Sequence, residues 1–83
     1  MILKFTVGEL TELRKYALGP FGQKNFHSFM AEVLARTDED TGEVDLDRDD
    51  FERIAIYKRQ GHKKRIEKVF KRPMDEAFGK FFD

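Results

Sequence analysis

Phe26-His27-Ser28-Phe29-Met30-Ala31-Glu32-Val33-Leu34 is the stretch on which the fold turns. Phe26, Phe29, Met30, Val33 and Leu34 recur at i, i+3, i+4, i+7 and i+8, which lays one apolar stripe along a helix. Lys24, Ser28, Glu32 and Ala35 take the other side. The spacing predicts a helix over residues 23–36. Such a stripe has to be covered, so the segments around it are read for surfaces that could cover it.

On the N-terminal side, Thr6-Val7-Gly8-Glu9 has the form of a capping box, with a Thr hydroxyl for the N3 amide and a Glu reaching back to the cap. Leu10, Leu13, Tyr16 and Ala17 follow at helical spacing, and Gly19-Pro20 ends the element. Ile2 to Phe5 reads as a short strand or as a tail packed down on the core. On the C-terminal side, residues 37–46 form a polar loop. Thr41-Gly42 supplies its turn chemistry, and the brief alternation of Val44 and Leu46 suggests a minimal β-ribbon near residues 43–46. Asp47 is placed to cap the next helix, with Asp49 and Asp50 in its first turn. Phe51, Ile54, Ala55 and Tyr57 make that helix's inner side, and Gly61 suits the position just past its end.

A further helix is expected from about His62 to Lys71, with Ile66, Val69 and Phe70 inward. Pro73 should stop it and open a last short helix carrying Met74, Ala77, Phe78 and Phe81, with Phe82 alongside. The expected architecture is therefore all-α or mainly α: one domain over residues 1–83, a compact bundle of four to five short helices around a Phe-rich core. Phe29, Val33, Phe51, Ile54, Ile66 and Phe70 are its predicted centre. A chain of 83 residues buries only about 60–65% of its unfolded surface, which implies a stability of about 4–8 kcal/mol. Most apolar side chains are then needed for folding, and few remain to line a deep, dry active site. Nine of them are Phe, whose rings bury much area at modest entropic cost.

The absence of cysteine removes disulfides, thiolate catalysis and Cys-based zinc sites. Met1 to Val7 is apolar but broken at Lys4 and stopped by Gly8-Glu9, too short for a signal-peptide core. No later run approaches about 18 apolar residues. The cytoplasm, of a bacterium or a host cell, is the expected compartment, with no membrane partner.

Formal net charge is zero, yet it is a sum of blocks. Residues 1–37 carry +2, residues 38–52 carry −8, residues 53–72 carry +8 and the tail carries −2. That segregation is more informative than the overall isoelectric point.

Candidate chemistry is sparse. Placing Gly42 sixth in an EF-hand loop puts Thr37 first and Arg48 twelfth, a cation where calcium needs a carboxylate, so that motif fails. His27 reads as a half-buried structural residue beside the stripe, and His62 as a surface or capping residue. One serine (Ser28) and no cysteine leave no nucleophile–base set. The carboxylates lie in one polar segment with no apolar pocket to raise a pKa. The glycines match neither a P-loop nor a dinucleotide fingerprint. No enzyme activity, metal or cofactor is expected.

Two charged surfaces remain. Lys58, Arg59, Lys63, Lys64, Arg65, Lys68, Lys71 and Arg72 form a basic ridge, with Lys64, Lys68, Lys71 and Arg72 opposite Ile66, Val69 and Phe70. It could lie along phosphates and displace their counterions, or it could be a solvated face answering the acidic block. A helix-turn-helix around Gly61 fits poorly, because Ala55 precedes the glycine by six positions and Arg65 stands where a core residue is wanted. DNA binding here would be sequence-tolerant and led by the backbone. Asp38, Glu39, Asp40 and Glu43 head the acidic block, which can mimic phosphates toward a partner's basic groove or merely keep the loop soluble. The aromatic tail, Phe78, Phe81 and Phe82, either closes the core or anchors a partner or second copy in a homodimer. In scale, charge layout and lack of a catalytic motif the chain resembles small accessory proteins of phages and mobile elements, a likeness of type that assigns no residue roles. The sequence thus favours a non-enzymatic protein-binding regulator or inhibitor. The alternative is a nucleic-acid-binding accessory protein using residues 58–72.

Overall fold

The computed structural model describes residues 1–18 and 24–79. The Gly19-Pro20 stop and the proposed anchors Phe81 and Phe82 lie outside them.

Helix α1, Val7–Leu18, begins as its capping box dictates. Glu9 N donates to Thr6 Oγ1 at 3.2 Å, and Thr6 N donates to Glu9 Oε1 at 2.8 Å. Helix α2, Lys24–Arg36, carries the Phe26–Val33 stripe, with Phe26, Phe29, Met30 and Val33 buried and Leu34 half-buried. Its stripe packs against Leu10, Leu13, Tyr16 and Ala17 of α1.

The third helical stretch, α3, is one run over residues 48–78, made of Arg48–Tyr57, Lys58–His62, Lys63–Ile66, Glu67–Lys71 and Arg72–Phe78. The described residues thus hold three helical stretches rather than four or five separate short helices. Gly61 bends the run where the sequence places a stop: Gln60 (φ −89°, ψ 15°) and Gly61 (φ 97°, ψ 4°) leave helical geometry, and the chain resumes at once. Only glycine takes that positive φ without strain. Pro73 does not end the run, because the wider turn Glu67–Lys71 just ahead of it makes room for a ring that would clash in a regular helix. At the start of α3, Asp47 accepts from Asp50 N at 3.0 Å and Asp50 Oδ2 accepts from Asp47 N at 2.9 Å, a reciprocal cap.

The β-ribbon exists, but it joins distant segments. Strand β1, Ile2–Lys4, pairs antiparallel with β2, Glu43–Asp45, in the register Ile2↔Asp45, Leu3↔Val44, Lys4↔Glu43. A turn leads into β2, closed by Asp38 N donating to Glu43 O and Gly42 N donating to Asp38 O. Gly42 is obligatory there: its φ is +80°, and a Cβ would sit 2.5 Å from the Phe5 carbonyl oxygen.

Phe29, Val33, Ile54, Ile66 and Phe70 are central, as their spacing predicts. Phe51 is only half-buried, and Phe78 is exposed at 42%, because the two rings pack edge-on against each other (centroids 4.9 Å) at the margin of the core.

Candidate functional site

Gly61 turns the chain so that the segment after it runs beside the end of α1. Ile66, Val69 and Phe70 point inward and leave Lys64 and Lys68 outward. Between the two elements lies a groove of about 610 Å³, lined by Lys15 and Tyr16 from α1 and by Gly61, Lys63, Lys64, Arg65 and Lys68 from α3. Five of these are cations and none is a carboxylate. Cations gathered on a concave wall focus positive potential into it.

Lys64 and Lys68 have no ion-pair partner among the described residues. The Lys63 ammonium is 3.9 Å from Glu67, a long contact between exposed groups that adds little. Lys15 stands 5.8 Å from the centre of the Tyr16 ring. That ring is buried, and desolvation together with a hydrogen bond to Glu12 pushes the Tyr16 pKa up, so its hydroxyl keeps its proton. Tyr16 therefore adds a neutral, buried ring to the groove's cationic lining.

His62 corrects the expectation of a surface residue. It is only 6% exposed and stacks on Phe26 with ring centroids 4.2 Å apart and planes 3° from parallel. Tyr57 meets it edge-on at 6.1 Å. Arg65 Nη1 approaches His62 Nδ1 at 3.2 Å. A guanidinium can only donate, so Nδ1 is the acceptor and the ring's proton sits on Nε2. Burial first, and the Arg65 charge second, lower the His62 pKa.

The remaining ridge residues part company. Arg72 turns away from Lys64 and Lys68. Its Nη2 and Nε donate to the Glu9 carboxylate at 2.7 and 3.0 Å, its Nη1 to Glu76 at 2.9 Å, and Nη2 also reaches the Lys4 carbonyl. It clamps α1, β1 and the end of α3 together, and so leaves the candidate interface. The bond to Glu9 outweighs burial and raises the Arg72 pKa further. Lys71 lies 3.5 Å from Asp75, Lys58 is half-buried, and Arg59 is exposed just before the bend without an ion pair among the described residues.

The four acidic candidates, Asp38, Glu39, Asp40 and Glu43, are all exposed on the turn leading into β2. Glu39 is bound to Arg14 at 2.7 Å, and Asp38 Oδ1 accepts from Asp40 N at 2.9 Å. Asp40 and Glu43 keep unpaired carboxylates among the described residues. Deeper in the block, Asp50 is buried and held by both terminal nitrogens of Arg36, at 2.9 and 3.0 Å. Burial alone would raise the Asp50 pKa, but the Arg36 and Asp47 hydrogen bonds outweigh it and lower the value.

Among the described residues no cluster of His, Asp or Glu is placed to hold a metal, and no helix is long and apolar enough to cross a membrane. Sequence reasoning missed Lys15 and Tyr16, which are separated from residues 61–68 by most of the chain; the basic side of α1 was their only signal. Compared with known proteins, the chain matches no family model, no curated protein and no solved structure.

Proposed function

We propose that this is a non-enzymatic accessory protein that binds nucleic acid through its phosphate backbone. The observation that carries the reading is the groove in which Lys15, Lys63, Lys64, Arg65 and Lys68 converge without an acidic neighbour in its lining. Lys64 and Lys68 lie one turn apart, about 6 Å along the helix axis, on the scale of successive phosphates along a strand. The buried Tyr16 offers no face for base stacking, which favours sequence-tolerant contact with a backbone over capture of splayed bases.

A labelled short duplex titrated at low salt tests this by anisotropy. Lys64→Glu with Lys68→Glu should abolish binding while leaving the melting transition in place, because both side chains are exposed. Absence of wild-type binding to duplex and to single strand at low salt removes the reading.

A protein partner with a basic surface is the second reading, supported by the Asp40 and Glu43 carboxylates, unpaired among the described residues and held on a hydrogen-bonded turn. If that surface is the interface, Asp40→Asn with Glu43→Gln slows association with the partner, and added salt shrinks the difference.

A further inference from the structure

The described residues present two exposed surfaces of opposite sign on which charges stay outside every ion pair. In the groove these charges are Lys64 and Lys68, one helical turn or about 6 Å apart along the axis. On the turn leading into β2 they are Asp40 and Glu43, whose Cα atoms, three residues apart, lie within about 11 Å of each other. The two pairs match in number and, within the reach of a lysine side chain, in spacing.

The turn is not available to its own groove. Asp38 N donates to the Glu43 carbonyl at 2.8 Å, and Gly42 N donates to the Asp38 carbonyl at 2.7 Å. β2 is paired with β1, and Arg14 holds Glu39 at 2.7 Å. Tied at these points, none of residues 38–43 lines the groove. The complementary turn therefore has to come from another molecule. Two copies of this chain approach each other without the overall repulsion that keeps strongly charged proteins apart, because their formal net charge is zero. Its segregation into blocks leaves the attraction between unlike surfaces intact.

We propose that the groove is an interface between copies of this chain: the acidic turn of a second copy seats in it, with Asp40 and Glu43 facing Lys64 and Lys68. The basic surface that the second reading of the turn calls for is then the chain's own. The contact rests on the charges of groove and turn and does not require the groove to hold phosphate; where nucleic acid does bind there, the two contend for the same lysines. A turn seated in a groove is a small contact, below the about 1,200–2,000 Å² that stable interfaces bury. The complex is therefore weak and fast to exchange, favoured by high protein concentration and low salt.

The test is sedimentation equilibrium of the full chain across a wide range of protein concentration, at about 0.01 M and about 1 M salt, where the screening length is about 30 Å and about 3 Å. The average mass should rise with concentration at low salt and stay at the monomer value at high salt. Asp40→Asn with Glu43→Gln should weaken self-association by about tenfold, the effect of losing two exposed ion pairs, and Lys64→Gln with Lys68→Gln should do the same. All four side chains are exposed, and unchanged melting transitions check that both variants fold. Mixing the two variants should restore association, because one copy still offers a groove and the other a turn. A monomer at every concentration in low salt overturns the proposal. So does self-association that persists at about 1 M salt, where screening is nearly complete, or that survives either double substitution, since the contact then lies on another surface such as the exposed Phe78. A mixture no more associated than its components also overturns it. Duplex binding is measured separately: its absence beside salt-sensitive self-association removes the phosphate reading alone, and its presence in a strictly monomeric protein removes this inference alone.

Discussion

Residues 38–52 and 53–72 carry equal and opposite charge, yet the fold treats them differently. Much of the acidic block is used inside the molecule. Asp47 and Asp50 cap α3, Asp50 holds Arg36, Asp45 takes the N-terminal ammonium at 2.9 Å, Glu39 takes Arg14, and Glu52 lies 3.3 Å from Arg48. The basic block divides. Arg53, over the Phe29 ring and 3.1 Å from Glu32, and Arg72, on Glu9, lock elements together, whereas Lys64 and Lys68 stay outside every ion pair among the described residues. A balanced sum thus conceals an imbalance of availability. What reaches a partner is decided by which charges the fold has already spoken for, and in the groove Lys64 and Lys68 are the two that stay outside ion pairs among the described residues.

The largest effect should come from the inner face of the basic block. Phe70 is fully buried against Phe5 and Phe29, so Phe70→Ala should cost about 3–5 kcal/mol, most of the stability expected for a domain this small. A loss under about 1 kcal/mol in denaturant melts, far below the range for buried Phe→Ala, would mean the helix faces are assigned wrongly.

Next comes the acidic block's buried member. Asp50→Ala leaves Arg36 without its partner and opens the α3 cap, at a cost of about 3 kcal/mol, the low end for a broken buried pair because the Arg36 side chain is 35% exposed. Neutralising Asp38, Asp40 and Glu43 together should leave melting unchanged. Equal effects from the two sets would erase the distinction between used and available charge.

The pH dependence sharpens the same contrast. Asp50 is held below its usual 3.8, so its contribution is complete above that value and lost as the pH falls through the folded one. Asp50→Asn should flatten the acid limb of a stability–pH curve, and Asp40→Asn should not. An acid limb unchanged by Asp50→Asn would place the titrating group elsewhere.

How much of this is legible in the sequence follows from range. The caps at Thr6–Glu9 and Asp47–Asp50, the stripe of α2 and the positive φ of Gly61 are local and can be read directly. Pairing of Ile2–Lys4 with Glu43–Asp45 is not, because three-residue strands so far apart carry no mutual signal. Helical periodicity placed Arg72 on the side of Lys68 but could not show that the wide turn Glu67–Lys71 would rotate it toward Glu9. Nor could it reveal that His62, one residue past the bend, would be covered by Phe26 from another helix.

The central claim is that Lys64 and Lys68 of the groove contact phosphates, and its most direct measurement is the salt dependence of duplex binding. Each phosphate neutralised contributes about −0.9 to the slope of log K against log salt. Lys64→Gln with Lys68→Gln should therefore make the slope shallower by about 2, without shifting the melting transition. A slope identical to that of the wild type, with affinity retained, would place the phosphate contacts elsewhere and contradict the account.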